Sequence, residues 1–463
     1  MEEKIKQLKT LLGEISDVKT ANALLDWDQQ VNMPTEGAEI RSHQTAALAR
    51  IAQDREHSPE LGGLLEALAP QAATLDPDSD DARLVRVAAR NFRKEARIPS
   101  DFAAEWKQTQ ALAFQAWVEA RRKSDFLLFR PHLEKIVGLN RRYVDFFPSA
   151  DHPYDPLLDK YESGLKTADV KAVFEVLRTQ QTALIKAISR KKQVEDSFLH
   201  QHFDPEKQWA FGGEVITRFG YDWNRGRQDR SAHPFTVGFG AKDVRITTRI
   251  DPEFFNDMFF STLHECGHAL YEQGVAAELD RTPLAVLDSF LSFHESQSRM
   301  WENLVGRSRP FWEYFYPRLQ ETFPQLRPVT LDQFYRGVNK VQPSLIRVDA
   351  DEATYNLHVM LRLEIEIALV EGKVAVGDLP DFWNARMQEY LGVTPPNDAK
   401  GVLQDVHWSS TLMGYFPTYA LGNLISVQLW EKINRDIPDL TDRIRAGKFD
   451  ALLAWLREKI HRR

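Results

Sequence analysis

His264 and His268 stand four residues apart in the run His264-Glu265-Cys266-Gly267-His268. On a helix, positions i and i+4 share one face, one turn apart. Two imidazoles at that spacing reach one tetrahedral Zn²⁺. Glu265 is turned about 100° from His264, beside the metal rather than on it, where a carboxylate can take a proton from a zinc-bound water. The plain alternative is a chance pair of core histidines, but a buried helix has little use for His, Glu and His together unless something compensates their desolvation. A catalytic zinc needs three protein ligands and one open position. The next candidate downstream is in FHESQSR, residues 293–299. Glu295 would complete a His₂Glu set, while adjacent His294 points about 100° away on a helix. Only one of the two should bind, and the spacing favours Glu295.

Two more polar clusters follow. Arg347 lies in IRVDAD, residues 346–351; a guanidinium there can grip a carboxylate bidentately, as a lysine cannot. An ion pair with Asp349 or Asp351 is the structural alternative. GVLQDVHW, residues 401–408, combines Gln404, Asp405 and His407, and GYFPTY after it supplies Tyr415 and Tyr419. An imidazole or phenol near zinc can donate to an oxyanion, although each feature taken singly suits a structural role. Cys266 is the only cysteine, so no intrachain disulfide exists. It reads as a small buried filler, in keeping with a reducing compartment.

These residues need elements to position them. Asp251 is a good N-cap with Pro252 at the first helical position, Gly274 a natural stop, and the apolar residues between them recur at helical spacing. Just before this helix, Phe235–Phe239 and Val244–Ile250 read as two strands of a hairpin. Arg245, Thr247 and Arg249 share one face of the second strand. An edge there could hold a peptide by its backbone, or the hairpin could be purely structural. Upstream, periodicity predicts helices over 3–25, 36–54, 59–69, 82–95, 101–122, 130–145 and 167–190, with a connection at 148–165. Asp76–Asp81 resembles the start of a calcium loop but lacks Gly at the sixth position and Glu at the twelfth, where Val87 stands; a solvated turn capping the next helix is expected instead. With no repeats and no low-complexity linker, one helical domain over 1–463 is expected.

Composition narrows the class. The net charge of −8 argues against a nucleic-acid binder. No run approaches the ~18 apolar residues of a membrane span, and the N-terminus lacks the apolar core of a signal peptide. The expected location is cytoplasmic.

Together HECGH, HESQ, DVRIT, IRVDAD and GVLQDVHW, with LLDWDQQVNMPTEGAEIRS, LLDKYESG and GYFPTYALGN, resemble the carboxypeptidase Taq family of zinc metallocarboxypeptidases over most of the chain. The resemblance implies a mainly α, saddle-like fold with a deep groove, related to angiotensin-converting enzyme and neurolysin, and a small antiparallel β-sheet beside the HECGH helix. Residues to about 165 would form one wall, and 166–463 would carry the zinc site. It also implies one Zn²⁺ per chain (another divalent metal such as Co²⁺ being possible), a homodimer, and release of single C-terminal amino acids with broad preference. By position, His264, His268 and Glu295 are similar to the family's ligands, Glu265 to its base and Arg347 to the arginine near the substrate carboxylate. Asp243, Arg245, Thr247, Gln404, Asp405 and His407 fall in motifs associated with narrowing one end of the groove. Likeness to the related peptidases points to Tyr415 as oxyanion phenol, with His407 as the other candidate. Two rivals stay open: a zinc endo-oligopeptidase on the same fold, and a peptide-binding scaffold that does not cut, against which an intact Glu265 argues.

Overall fold

The computed structural model describes residues 1–148, 150–285 and 290–462. The N-terminal stretches form α1 (Glu2–Val31), α2 (Ala38–Glu56), α3 (Pro59–Ala72), α4 (Asp80–Glu95), α5 (Ser100–Lys123) and α6 (Phe126–Asp145). Ser58 and Ser79 cap α3 and α4, accepting from the Leu61 and Ala82 N–H groups. The acidic run at 76–81 is thus the capping turn its composition suggested. A short α7 (Asp155–Leu158) lies within the expected connection, of which residue 149 is outside the described residues. Then come α8 (Thr167–Ser189), α9 (Pro205–Phe219), β1 (Gly226–Arg230), β2 (Thr236–Gly238) and β3 (Val244–Thr248). The remaining helices are α10 (Phe255–Glu272), α11 (Leu291–Arg299), α12 (Arg309–Thr322), α13 (Leu331–Val338), α14 (Glu352–Glu371), α15 (Leu379–Leu391), α16 (Pro417–Asp436), α17 (Leu440–Arg445) and α18 (Asp450–Leu456). The fold is mainly α, as expected. No helix among the described residues is long and apolar enough to cross a membrane.

Two expectations are corrected. The helix carrying HECGH starts at Phe255 rather than at Pro252, because Asp251 closes a local turn onto the Glu253 N–H and the Asp251 and Pro252 carbonyls accept from Gln208 and Phe203. Gly274 stands at C′ after the cap Gln273, as expected, and the His461 ring is 2.4 Å from where its Cβ would be. The sheet is mixed rather than antiparallel: β2 pairs with β3 antiparallel as anticipated, but β1 pairs parallel on the other side. GRQDR has no apolar alternation to announce that strand.

Two large apolar clusters flank the site. One joins α9, β3, α10, α12 and the C-terminal helices and includes Phe255, Phe259, Leu263, Cys266 and Leu270 of α10. The other joins α5, α6, α8, α14 and α15. A third, smaller cluster belongs to α1, α3 and α4. Between the large two runs α11, whose buried residues are polar: Ser292, Glu295, Ser296, Gln297 and Ser298. It packs on α10 and α16 at backbone range. A Cβ on Gly267 would stand 2.6 Å from Ser298 Cα, and one on Gly422 would stand 2.7 Å from Glu295 Cβ, so only glycine permits this approach.

Candidate active site

α10 presents His264 and His268 one turn apart, and α11 brings Glu295 against them. One ligand atom from each lies within 4.8 Å of the others. Glu295 Oε2 is 3.7 Å from His264 Nε2 and 3.5 Å from His268 Nε2. The remaining atoms of the three side chains are tied outward. His264 Nδ1 is 2.9 Å from Glu302 Oε2. His268 Nδ1 is 2.5 Å from His294 Nδ1, whose Nε2 is 2.7 Å from Glu272 Oε1. Arg299 donates to Glu295 Oε1 at 2.6 Å and to Glu302 Oε2 at 3.2 Å. Glu302 sits in π-helical turns, Met300–Val305, that continue α11. Two imidazole nitrogens and one carboxylate oxygen therefore converge with their outer atoms anchored, the arrangement a divalent ion with nitrogen and oxygen preference requires.

The electrostatics agree. Burial works to raise the Glu295 carboxyl, but Arg299 and His264 hold it well below the usual carboxylate range. Glu302 is likewise pushed up by burial and, chiefly by Arg299, brought down to about 2. Burial, helped by His294, drives His268 down to about 3, keeping a lone pair free for a metal.

Glu265 is turned aside, as its spacing implied. It is buried and accepts a bond from the Thr236 hydroxyl of β2 at 2.7 Å; the same hydroxyl also reaches the Glu265 carbonyl at 2.9 Å. Burial raises its carboxyl. β2 is an edge strand, so the candidate base stands beside an unpaired backbone edge.

Arg347, 5% exposed, forks onto Asp405 Oδ1 at 3.0 and 2.9 Å and donates to the Tyr355 hydroxyl at 2.8 Å. The alternative pairing with Asp349 or Asp351 does not occur, since Asp351 caps α14 and Asp349 faces Arg249. Gln404 accepts from the Arg347 N–H and from Arg362, and its amide donates to three carbonyls. Gln404 and Asp405 thereby hold Arg347 in place. His407 Nε2 is 3.0 Å from the Tyr419 hydroxyl, its ring stacks on Phe416, and burial lowers it to about 3. Tyr415 lies edge-on to Tyr161 and Tyr419, and burial, then the Glu295 charge, raises its phenol.

Asp243, just before β3, and Arg245 on it form a two-bond pair, and Arg245 lies over the Trp27 ring of α1 at 4.4 Å. Thr247 is buried, bonded to Ser231 and to the Phe235 N–H. No hydrogen bond or ion pair among the described residues joins these three to the His264–His268–Glu295 group. The sequence reading missed Thr236, Arg299, Glu302, Tyr355 and Arg362. Glu295, Arg299 and Glu302 recur at i, i+4 and i+7, a polar stripe on a buried helix that could have been found. Thr236 carries no such signal.

A family model described as "Carboxypeptidase Taq (M32) metallopeptidase" matches residues 7–463. "Thermostable carboxypeptidase 1" of Thermus thermophilus is 42% identical, covering 97% of this chain and 90% of that one. Its counterpart of the same name in Pyrococcus furiosus is 40% identical, covering 99% and 92%. The crystal structure of an M32 carboxypeptidase from Deinococcus radiodurans is similar with a TM-score of 0.95 at 41% identity, covering 99% of this chain and 92% of that one.

Proposed function

The chain belongs to the carboxypeptidase Taq family of metallopeptidases, and on that premise we propose how its own side chains carry out peptide hydrolysis. Membership makes it a metallocarboxypeptidase acting on peptides. The metal we assign is Zn²⁺, one per chain, held by His264, His268 and Glu295; Co²⁺ suits the same donors. When bound, such an ion polarises the scissile carbonyl and lowers the pKa of a nearby water. Glu265 takes the proton from the attacking water and delivers it to the leaving amine. Thr236 holds one of its oxygens, which aims the other. Tyr415, kept protonated by burial, and His407 donate to the developing oxyanion. Arg347 grips the substrate's terminal carboxylate. Three of its N–H groups serve Asp405 and Tyr355, which leaves two of the ~5 a guanidinium carries. Asp243, Arg245 and Thr247 shape one end of the groove through β3.

One domain over 1–463 is proposed, with residues to about 165 as one wall. Its support is the apolar cluster shared by Phe102–Leu158 and Tyr355–Ala420. A cytoplasmic location accords with one buried free thiol. A homodimer is proposed by likeness to the family, and light scattering that finds single chains at working concentration removes it.

The observation that carries the reading is the convergence of two Nε2 atoms and Oε2 within 4.8 Å, with Glu265 beside them. Glu265→Gln tests it: the variant should bind zinc as wild type does while kcat falls by ~10²–10⁴. Near-normal turnover by the zinc-loaded variant would mean another group takes the proton.

A further inference from the structure

Gln404, Asp405, His407 and Tyr415 all lie on residues 401–416, a stretch of turns with no helix or strand. Such a stretch has turn hydrogen bonds of its own but no regular ladder, so where it sits depends on what fastens it to the body. Beside the bonds from Trp117, Arg347 and Tyr419, much of the fastening comes from one turn of α14. Arg362 and Glu366, both 0% exposed, stand at i and i+4 on that helix. Arg362 donates to Asp405 Oδ2 at 2.6 Å and to Gln404 Oε1 at 2.8 Å, and is anchored on its own helix by the His358 carbonyl at 2.6 Å. Glu366 accepts from the Trp408 indole at 2.8 Å, from the Gly414 N–H at 2.9 Å and from the Tyr154 hydroxyl at 2.5 Å. Trp408 follows His407, and Gly414 precedes Tyr415. One helical turn thus grips the segment at four points, two at each end.

A fully buried carboxylate met only by neutral donors is a poor device for stability. An apolar side chain of similar volume commonly serves the core as well or better. What the carboxylate adds is direction: three donors from three parts of the chain must point at one group. An amide cannot substitute, because its NH₂ would face a donor.

We propose that Arg362 and Glu366 are positioning residues, Arg362 setting the Gln404–Asp405 end that orients Arg347, and Glu366 setting the Trp408–Gly414 end that orients His407 and Tyr415. The proposal rests on the roles given above to Arg347, His407 and Tyr415.

A division of labour is what a merely structural role would not produce. In zinc-loaded protein assayed on one free-acid peptide, Glu366→Gln should lower kcat by about ten- to a hundredfold, the scale of a small misplacement of reacting groups, with KM within about threefold. Arg362→Lys, which keeps the charge but loses the fork, should raise KM by about tenfold with little change in kcat. Trp408→Phe removes one donor and keeps the ring, so it should move kcat in the same direction as Glu366→Gln but less; if Glu366→Gln does not fold, Trp408→Phe decides. Unchanged kcat in both Glu366→Gln and Trp408→Phe, or equal losses in kcat and KM for all three variants, overturns the proposal. His407→Gln and Tyr415→Phe, run alongside, separate the two layers. If both keep wild-type kcat, the oxyanion reading falls and takes the Glu366 half with it. If either lowers kcat while Glu366→Gln and Trp408→Phe do not, only the positioning falls.

Discussion

Glu302 and Arg299 determine how firmly the candidate ligands are aimed. Glu302 orients His264, and Arg299 occupies the Glu295 oxygen that faces away from the histidines. Partners of this kind typically tune metal affinity by ~10–100-fold. Glu302→Gln should therefore weaken zinc by about that factor in competition with a chelator, whereas unchanged affinity would make Glu302 a bystander. Arg347 poses the question of exopeptidase selectivity. Removing it leaves Asp405 paired with Arg362, so Arg347→Ala should fold. A charge-assisted contact to a carboxylate contributes roughly 1.5–3 kcal/mol, so Arg347→Ala should lower kcat/KM about ten- to a hundredfold on a free-acid peptide. On the amidated form, where the contact has no target, it should lower kcat/KM little. Equal losses on both would assign Arg347 to structure. His264, Glu265 and His268 could be placed together because helical spacing is a local property, whereas Glu295, on another helix, was reached only as the next His–Glu cluster downstream. The partners of Arg347 were not, because Asp405 is brought to it only by tertiary packing.

At the level of elements, α11 depends on a distant residue. Glu162 accepts from the Ser292 N–H and hydroxyl, at the N-terminus of the helix that carries Glu295. Burial outweighs those two bonds and raises Glu162 to about 7, whereas an unfolded chain releases the proton at ~4.3. The folded state therefore holds an extra proton between those values. The stability this contributes is whole below about pH 4 and lost as pH rises through about 7. Glu162→Gln lacks the titration. The stability advantage of wild type over it should shrink by roughly 3–4 kcal/mol from pH 4 to pH 8, at ~1.4 kcal/mol per pKa unit, measured from urea midpoints. A gap that does not change with pH would disprove the assignment. The helices of the N-terminal half, α8, α10 and α14 were legible to within several residues, whereas α9, α12, α13 and α15–α18 were given no bounds. β1 was not legible, because its pairing partner rather than its own pattern makes it a strand.

Across the whole molecule, α1–α4 stand apart in how they are held. Their own apolar cluster is small. Their ties to the body include the exposed Asp17–Arg281 pair, the Lys94–Asp159 pair and the Trp27 ring under Arg227 and Arg245. Such a unit should open more readily than helices buried in the main cores. Backbone amides of α1–α4 should exchange at least about tenfold faster than those of α14, which corresponds to ~1.4 kcal/mol in opening free energy. Equal protection would show that the four helices open only with the rest.

The chain's single thiol has a practical consequence. Cys266 is fully buried between the two histidines of α10, and burial raises its pKa. A maleimide or aromatic disulfide reaches it only when α10 separates from the elements packed on it, with no other sulfhydryl to contribute background. Labelling rate is therefore a native read-out of that one opening. An ion held by the flanking histidines would stabilise the closed form and slow the labelling in step with occupancy, so the thiol counts filled sites without any substrate being turned over.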